Sequence, residues 1–444
     1  MQIVSIQEAI MKIGIFSDTY FPQLNGVATS IRTLATALES RGHQVYIFTP
    51  SDPRCHEGYD TLQVYRLPSV PVHFVRDYRA GYVFSPFLAR KIAELDLDII
   101  HTQTEFCLGA LGRFISTTQG IPLVHTYHTQ YEDYVHYIGG GHIISKEMVR
   151  DLSGVYCNRA TAIIAPTRKT EQLLKSYGVT QSISVIPTGI NTTNFHKSKF
   201  QPEEILELRR SLGLQEDTPV IISIGRIAKE KSIDVVIGAL PKLIEKLPDL
   251  KMVIVGEGNE IENLGRYAES LGVGNHVMFT GGKPWEEIGK YYQLGNVFCS
   301  ASVSETQGLT FAEAMAAGVP VVAKKDECIE NIITDNVTGM LFESNDELPD
   351  LLYRVLTDKK LANRLSEASV KAMETLSVEA FADSVEALYQ NILDSGEKPK
   401  QISAPALPLV MGVKAVKGIS RIPHHLVRHS HKKAMELLSS TKES

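Results

Sequence analysis

The decapeptide Ser304–Glu313 (SETQGLTFAE) carries two carboxylates, Glu305 and Glu313, eight residues apart around Thr306-Gln307-Gly308-Leu309. It follows the apolar run Val297–Ser300 and leads into a helical pattern over Phe311–Ala317. Amides at a helix start have no acceptor within the helix and lie at the positive end of its dipole. The run Thr306–Leu309 therefore reads as an anion site. An anion held between two carboxylates suits the diphosphate of a nucleotide sugar, with one carboxylate for the hydroxyls of each neighbouring ring. The competing reading is a capped helix with Glu313 in solvent.

A second stretch, Ile222–Lys231 (ISIGRIAKEK), ends a predicted strand at Gly225 and follows it with Arg226 and Lys231. Cations at a strand's carboxyl end suit a diphosphate, because a guanidinium grips two oxygens at once and an ammonium acts as a point charge. A surface ion pair, such as Lys231 with Glu230, is the alternative. His128, in VHTYHTQYEDY (Val124–Tyr134), falls just beyond another strand's carboxyl end, where a reacting sugar could meet it. A packing role is its alternative, and His125 is expected inside that strand. Asp96-Leu97-Asp98 has the spacing of a metal-binding pair but precedes Ile99-Ile100, at a strand's amino end. No metal site is expected there, and none is required where cations and amides supply the charge. Gly256-Glu257-Gly258 lacks the third glycine of a dinucleotide fingerprint, so NAD is not expected.

These groups need a scaffold that collects strand ends. Short apolar runs recur at Lys12–Phe16, Val45–Thr49, Ile99–His101, Pro122–Tyr127, Thr161–Ala165 and Ser182–Ile186. They recur again at Val220–Ile224, Lys251–Val255, Val277–Thr280, Val297–Ser300 and Pro320–Ala323. Helical patterns lie between them, which predicts α/β architecture with parallel sheets covered on both faces. The polar segment Pro187–Phe200 reads as a hinge between two doubly wound, Rossmann-like domains facing across a cleft. In such folds ligands bind outside the carboxyl ends of the strands.

Composition narrows the class. A chain of 444 residues, 43% hydrophobic and 22% charged, is neither wholly disordered nor a disulfide scaffold. A net charge of −6 argues against a generally basic nucleic-acid binder, and no nucleic-acid partner is expected. Five scattered cysteines without a CxxC pair argue against a zinc cage and fit a reducing cytosol. The start, MQIVSIQEAI, lacks the features of a signal peptide, and no apolar run reaches the ~18 residues of a spanning helix.

Taken together, Gly225-Arg226…Lys231 and Glu305-x7-Glu313 resemble the signature of retaining glycosyltransferases of family 4, which have the GT-B fold. Phe21-Pro22…Asn25-Gly26-Val27 resembles the family's N-terminal glycine loop. Val185–Asn191 with Phe195 resembles its hinge motif, and Val255–Gly258 its base-side loop. The resemblance covers residues 12–395. It implies that Arg226 and Lys231 neutralise the donor diphosphate, that Glu313 binds ribose hydroxyls and that Glu305 binds the transferred sugar. His128 would touch that sugar. Gly26, Gly225, Gly256, Glu257 and Thr306–Leu309 (Thr306, Gln307, Gly308, Leu309) would line the nucleotide sugar. The implied domains are 1–190 on the acceptor side, 191–376 for the nucleotide sugar, a helix over 377–398 returning to the first domain, and a tail over 399–444. No cofactor is implied, since the UDP-sugar is a substrate.

Two stretches bear on the acceptor. Gln63–Ile92 mixes cations, among them Arg76 and Arg79, with Tyr65, Phe74, Tyr78, Tyr82, Phe84 and Phe87. That mixture suits a membrane interface, or alternatively a solvated helix face over core aromatics. Residues 399–444 hold eight Lys and Arg against two Glu, which leaves the other 398 residues at −12. Within them His424–Ser440 puts Val427, Ala434 and Leu438 on one helical face, with Arg428, Lys432 and Lys433 largely off it. Such a helix would lie on an anionic membrane surface. Within the family the chain is most similar to bacterial enzymes that glucosylate diacylglycerol. That resemblance implies UDP-glucose as donor, diacylglycerol as acceptor, α-monoglucosyldiacylglycerol as product and a peripheral position on the cytoplasmic face of the plasma membrane. The alternatives are a soluble family member acting on a polysaccharide or small alcohol, a sugar-nucleotide epimerase, and a non-catalytic nucleotide-sugar binding protein.

Overall fold

The computed structural model describes residues 10–23, 25–55, 58, 60–72, 78–83, 86–130, 132, 146–330, 332–397 and 399 (86 and 87 by backbone alone). Its contacts divide the chain into two compact units. Unit one gathers the residues up to Pro166, Thr170–Ile186 and the chain from Ala382 onward, and unit two gathers Thr167–Lys169 and Pro187–Phe381.

Unit one runs β1 (Lys12–Phe16), α1 (Gly26–Ser40), β2 (Gln44–Pro50), β3 (Gln63–Leu67), β4 (Ser69–Pro71), β5 (Arg79–Gly81) and α2 (Pro86–Ala93). It continues with β6 (Ile99–Thr102), α3 (Cys107–Gln119), β7 (Leu123–Thr126), α4 (Lys146–Cys157), β8 (Ala162–Ala165), α5 (Arg168–Ser176) and β9 (Ile183–Val185). Among the described residues seven strands form one parallel sheet, ordered β3-β2-β1-β6-β7-β8-β9, with β4 and β5 a separate antiparallel pair. Strands β1, β6, β7 and β8 are buried almost throughout, as a sheet covered on both faces requires.

Unit two runs α6 (Pro202–Ser211), β10 (Val220–Ile224), α7 (Ile233–Ile244), β11 (Lys251–Val255), α8 (Ile261–Ser270), β12 (Val277–Phe279) and α9 (Trp285–Tyr292). Then come β13 (Val297–Ser300), α10 (Leu309–Ala316), β14 (Val321–Lys324), α11 (Glu327–Glu330), β15 (Met340–Phe342), α12 (Leu348–Thr357) and α13 (Lys359–Met373). The described strands form a parallel sheet ordered β12-β11-β10-β13-β14-β15. Successive residues of β10 serve opposite faces. Ile221 packs with Ile237, Leu240 and Leu352, and Ile222 with Phe298, Phe311 and Tyr292. Both units are thus doubly wound Rossmann-like domains, as the alternating pattern predicts.

The last described helix, α14 (Val378–Ser395), joins unit one through its later turns. Arg41 bonds Asp383 and Glu386 at 2.7 Å each, His43 Nε2 bonds Glu386 at 2.9 Å, and Tyr389 Oη meets His101 Nδ1 at 2.6 Å. No described helix is long and apolar enough to cross a membrane.

The stretch 63–92 needs correction. Tyr65 is stacked on Phe48 at 5.2 Å in the edge strand β3, which makes it part of the packing of the sheet. Arg66 pairs with Asp60 at 2.7 Å. Arg79, expected as a lipid contact, turns inward: its Nε donates to Ser51 O at 2.7 Å and Ser69 Oγ at 2.8 Å. It ties β4 and β5 to the end of β2, so its hydrogen-bonding capacity faces the protein. Arg76, Phe74 and Phe84 lie outside the described residues, as do Arg428, Lys432 and Lys433 with the rest of the tail.

Candidate active site

In unit two the chain leaves β10 for β11 on one side of the sheet and β13 for β14 on the other. Strand order reverses between β10 and β13, and a crevice opens at the carboxyl ends of such a pair. The residues chosen from sequence sit there. Beyond β10 come Gly225 and Arg226, then a 3-10 turn, Lys229–Lys231. Beyond β13 the loop Ala301–Gly308 leads to α10. Lys231 Nζ donates to Glu305 Oε1 at 2.6 Å, and Ser304 Oγ donates to Glu230 O at 3.2 Å. A Cβ placed on Gly225 would lie 3.8 Å from Thr310 Cγ2, so the end of β10 touches the first turn of α10. The cations, Glu305 and the helix start form one locus.

Two glycines make this approach possible. Gly256 has φ +148, and a Cβ there would fall 1.9 Å from Gly225 O. The loops after β10 and β11 therefore run backbone against backbone, joined where Ile227 N donates to Glu257 O at 2.8 Å. Gly308 caps α10 at φ +75, left-handed backbone that a side chain disfavours. The helix starts at Leu309, two residues before the expected Phe311, so the amides of Leu309 and Thr310 stand in its first turn. The Gln307 side chain faces elsewhere, clamping both backbone groups of Thr188 at 2.8 Å.

The electrostatics are balanced in pairs. Arg226 Nη2 lies 2.6 Å from Glu230 Oε1, with the Arg226 side chain 44% exposed and that of Glu230 5%. Glu230 therefore pairs with Arg226, not with Lys231. Burial pushes the Glu305 carboxyl up, but the Lys231 charge and hydrogen bond, with Ser302 and Arg226, bring it below its ordinary value. Among the described residues no cation forms an ion pair with Glu313. Burial pushes it up to about 7, against a hydrogen bond from Tyr292 Oη at 2.8 Å. At neutral pH Glu305 is thus ionised and Glu313 close to its midpoint.

Unit one repeats the logic at β1 and β6. Asp18, just past β1, is buried. It accepts from Thr104 Oγ1 at 2.7 Å and from Leu108 N at 3.0 Å, which caps α3 from outside its own chain segment. His128, two residues past β7, donates from Nε2 to Gln103 Oε1 at 2.6 Å. Burial, then the charge of His125, push the His128 imidazole down to about 3, so it is neutral in ordinary buffers. His125 lies within β7 and bonds Thr102 Oγ1 at 2.9 Å, a structural placement. Gly26 is the first residue of α1. Asn25 before it has extended backbone (φ −156) and caps Ala28 N. Asp98 accepts from Lys12 N at 2.8 Å at the amino end of β6. Among the described residues no group of three or more His, Cys, Asp or Glu is placed to hold a metal ion.

Residues 24–194 match the family model described as Glycosyltransferase Family 4, and residues 204–372 the one described as Glycosyl transferases group 1. The alpha-monoglucosyldiacylglycerol synthase of Streptococcus pneumoniae is 38% identical over 395 residues, 88% of this chain and 88% of that protein. The chain belongs to glycosyltransferase family 4. The synthase of the same name from Acholeplasma laidlawii is 32% identical to this glycosyltransferase, over 87% of this chain and 99% of that protein. Among solved structures, Anabaena HepE in complex with UDP and glucose superposes with TM-score 0.70 at 20% identity, over 86% of this chain and 100% of that one. Sucrose-phosphate synthase from Thermosynechococcus elongatus gives TM-score 0.70 at 22% identity, over 87% and 100%. The fold is GT-B.

Three residues at these loci escaped sequence reasoning, Asp18, Gln103 and Tyr292, and Glu230 entered it only as a partner for Lys231. Glu230 had a visible signal, since it lies four residues after Arg226 in the same short loop. The others find their partners across the sheet, Asp18 with Thr104 across 86 positions and Gln103 with His128 across 25. No local pattern announces such a pair.

Proposed function

We propose that this enzyme transfers glucose from UDP-glucose to the free hydroxyl of diacylglycerol, with retention, at the cytoplasmic face of the membrane. The observation that carries the donor assignment is the 2.6 Å bond from Lys231 to Glu305, which brings the cation loop to the start of α10. Arg226, Lys231 and the Leu309 and Thr310 amides then face a bound diphosphate. The bond from glucose C1 to the β-phosphate oxygen breaks as negative charge grows on that oxygen. Donors already in place stabilise this charge without reorganising, the largest single contribution in many enzymes. The acceptor oxygen attacks C1 from the face the phosphate leaves, and its proton passes to the departing phosphate oxygen. Glu305 holds hydroxyls of the transferred glucose, Glu313 those of the ribose, and His128 contributes to the sugar's surroundings. Charge on the leaving group is met by side chains and amides, so the reading calls for no metal.

The lipid acceptor is supported by the two synthases named above, which share most of their length with this chain. The cation-rich residues 399–444 supply the attraction to anionic lipid, about 1 kcal/mol for each cation near the surface. Purified protein, labelled UDP-glucose and vesicles of phosphatidylglycerol with diacylglycerol test this directly. An α-linked glucosyl lipid is the expected product. Equal transfer to a soluble alcohol without vesicles would replace the lipid reading with that of a soluble family member. Deleting residues 399–444 is expected to weaken vesicle binding, and unchanged flotation would remove the tail as an anchor.

A further inference from the structure

Helix α3 takes a cation into the interior of unit one. Arg113 is 5% exposed, and its guanidinium carbon lies 5.7 Å from the ring centre of Tyr156 on α4. The ring covers one face of the guanidinium and takes none of its N–H donors, which point outward in the guanidinium plane. Nη2 is buried and meets no acceptor among the described residues. Arg209 in unit two shows what such burial ordinarily requires: at 8% exposure its Nε, Nη1 and Nη2 donate to the carbonyls of Gln215, Leu294 and Thr218. Near Arg113 stands a second cation instead. Arg159 is half-buried in the turn after α4, where its N donates to Tyr156 O at 3.2 Å. Burial, then the Arg159 charge, push the Arg113 pKa down to about 10, which leaves it a cation at neutral pH. Among the described residues no carboxylate pairs with either arginine.

We propose that Arg113 and Arg159 form an anion site in unit one that takes a phosphate group, with the two guanidinium forks sharing its oxygens. A desolvated cation without a partner costs stability, and a like charge beside it adds to that cost. An anion removes both. Arginine suits the task because its guanidinium is weakly hydrated and grips two oxygens at once. Phosphate suits two such forks better than a carboxylate does, since it offers more oxygens and, as a monoester, up to two negative charges. Arg159, half-buried, keeps the pair in touch with solvent. The site belongs to unit one alone and rests on neither the donor nor the acceptor proposed above. Tyr156 Oη donates to Thr104 O at 3.4 Å, so an anion that fixes Arg113 on the ring also steadies the turn from β6 to α3.

Three forms of the full chain test the site: the parent, Arg113→Met, which keeps an apolar stem and removes the charge with its donors, and Arg159→Gln. In chloride buffer Arg113→Met loses an unpaired buried cation and is expected to melt no lower than the parent. Inorganic phosphate at about ten times its Kd is expected to raise the parent's melting temperature by about 3–6 °C more than that of either variant. The difference between parent and variant is the readout, because phosphate also stabilises proteins in general by exclusion from their surface. Titration calorimetry should give one phosphate per parent chain and a Kd at least about tenfold weaker in each variant. A second arm replaces free phosphate with phosphatidylglycerol vesicles in phosphate-free buffer and compares flotation of the three proteins. A response to inorganic phosphate that depends on Arg113 assigns the site to a free phosphate. Flotation that depends on Arg113, without such a response, assigns it to a lipid headgroup. Responses equal in parent and Arg113→Met in both arms would overturn the site. So would an Arg113→Met protein that melts well below the parent in chloride and in phosphate alike, since Arg113 would then serve packing on Tyr156 alone.

Discussion

Replacing Lys231 by methionine perturbs stability and catalysis through one contact. The ammonium stands 2.6 Å from Glu305 Oε1, with the two side chains 23% and 15% exposed. Without it Glu305 keeps only the Ser302 hydrogen bond and the more distant Arg226 against the burial that pushes its carboxyl up. Breaking a fully buried pair costs about 3–5 kcal/mol. With nearly a quarter of Lys231 in water the expected loss is about 2 kcal/mol. The pH dependence should change sign. In the parent the Glu305 carboxyl is depressed, so its contribution is present above the ordinary carboxyl pKa and lost as pH falls through the lower folded value. In Lys231→Met burial dominates, the folded pKa is raised, and stability is lost as pH rises above the ordinary value. Adding Glu305→Gln removes the orphaned charge and should restore most of the stability. Turnover should not follow. One lost donor to the leaving group costs about 2.7–4 kcal/mol, a factor of about 100–1000 in kcat. Calorimetric melting from about pH 3 to 8 and UDP release at saturating donor read the two effects separately. A Lys231→Met protein that melts early yet turns over within threefold of the parent would show that Lys231 serves the loop alone and that the diphosphate is held by something else.

Further outcomes follow from other contacts at the two loci. Glu313, pushed up to about 7 by burial, should accept ribose hydroxyls better when ionised, so donor KM should fall between pH 6 and 8. Glu313→Gln should flatten that dependence, and Tyr292→Phe, which removes the one hydrogen bond lowering the pKa, should move its midpoint to higher pH. Gly256→Ala places a methyl 1.9 Å from Gly225 O at φ +148 and should cost about 3 kcal/mol in chemical denaturation. Gly265→Ala in α8, where a Cβ meets nothing within 4 Å, should gain about 0.5–1 kcal/mol and serves as the control. Tyr389→Phe removes the hydroxyl at His101 Nδ1 and should lower stability by about 1 kcal/mol without changing donor KM.

What could be read from sequence depended on where each residue's partner lies. Strands β10 and β11 were legible to the residue because runs of five residues, four of them apolar in each, lead up to Gly225 and Gly256, whose backbone the fold needs bare. Strand β3 was not, because an edge strand is only half buried: Tyr65 falls in a stretch that reads as a membrane interface until Phe48 is brought beside it. The same reasoning separates the site residues. Arg226, Lys231, Glu305 and Glu313 declare themselves by type and local spacing, since each must sit at a strand end or in a helix's first turns. Their pairing does not. Lys231 reaches Glu305 across 74 positions, and Arg226 takes the nearer Glu230 because a 3-10 turn carries Glu230 back beneath it. That pairing bears on function. Both cations that would meet a diphosphate already hold carboxylates, so the anion must share Arg226 with Glu230 and Lys231 with Glu305 or displace them. Such sharing favours a ligand whose charge increases as the reaction proceeds, since the leaving oxygens gain negative charge while the two carboxylates stay fixed. A site with unopposed cations would bind the ground-state diphosphate more tightly and gain less at the transition state.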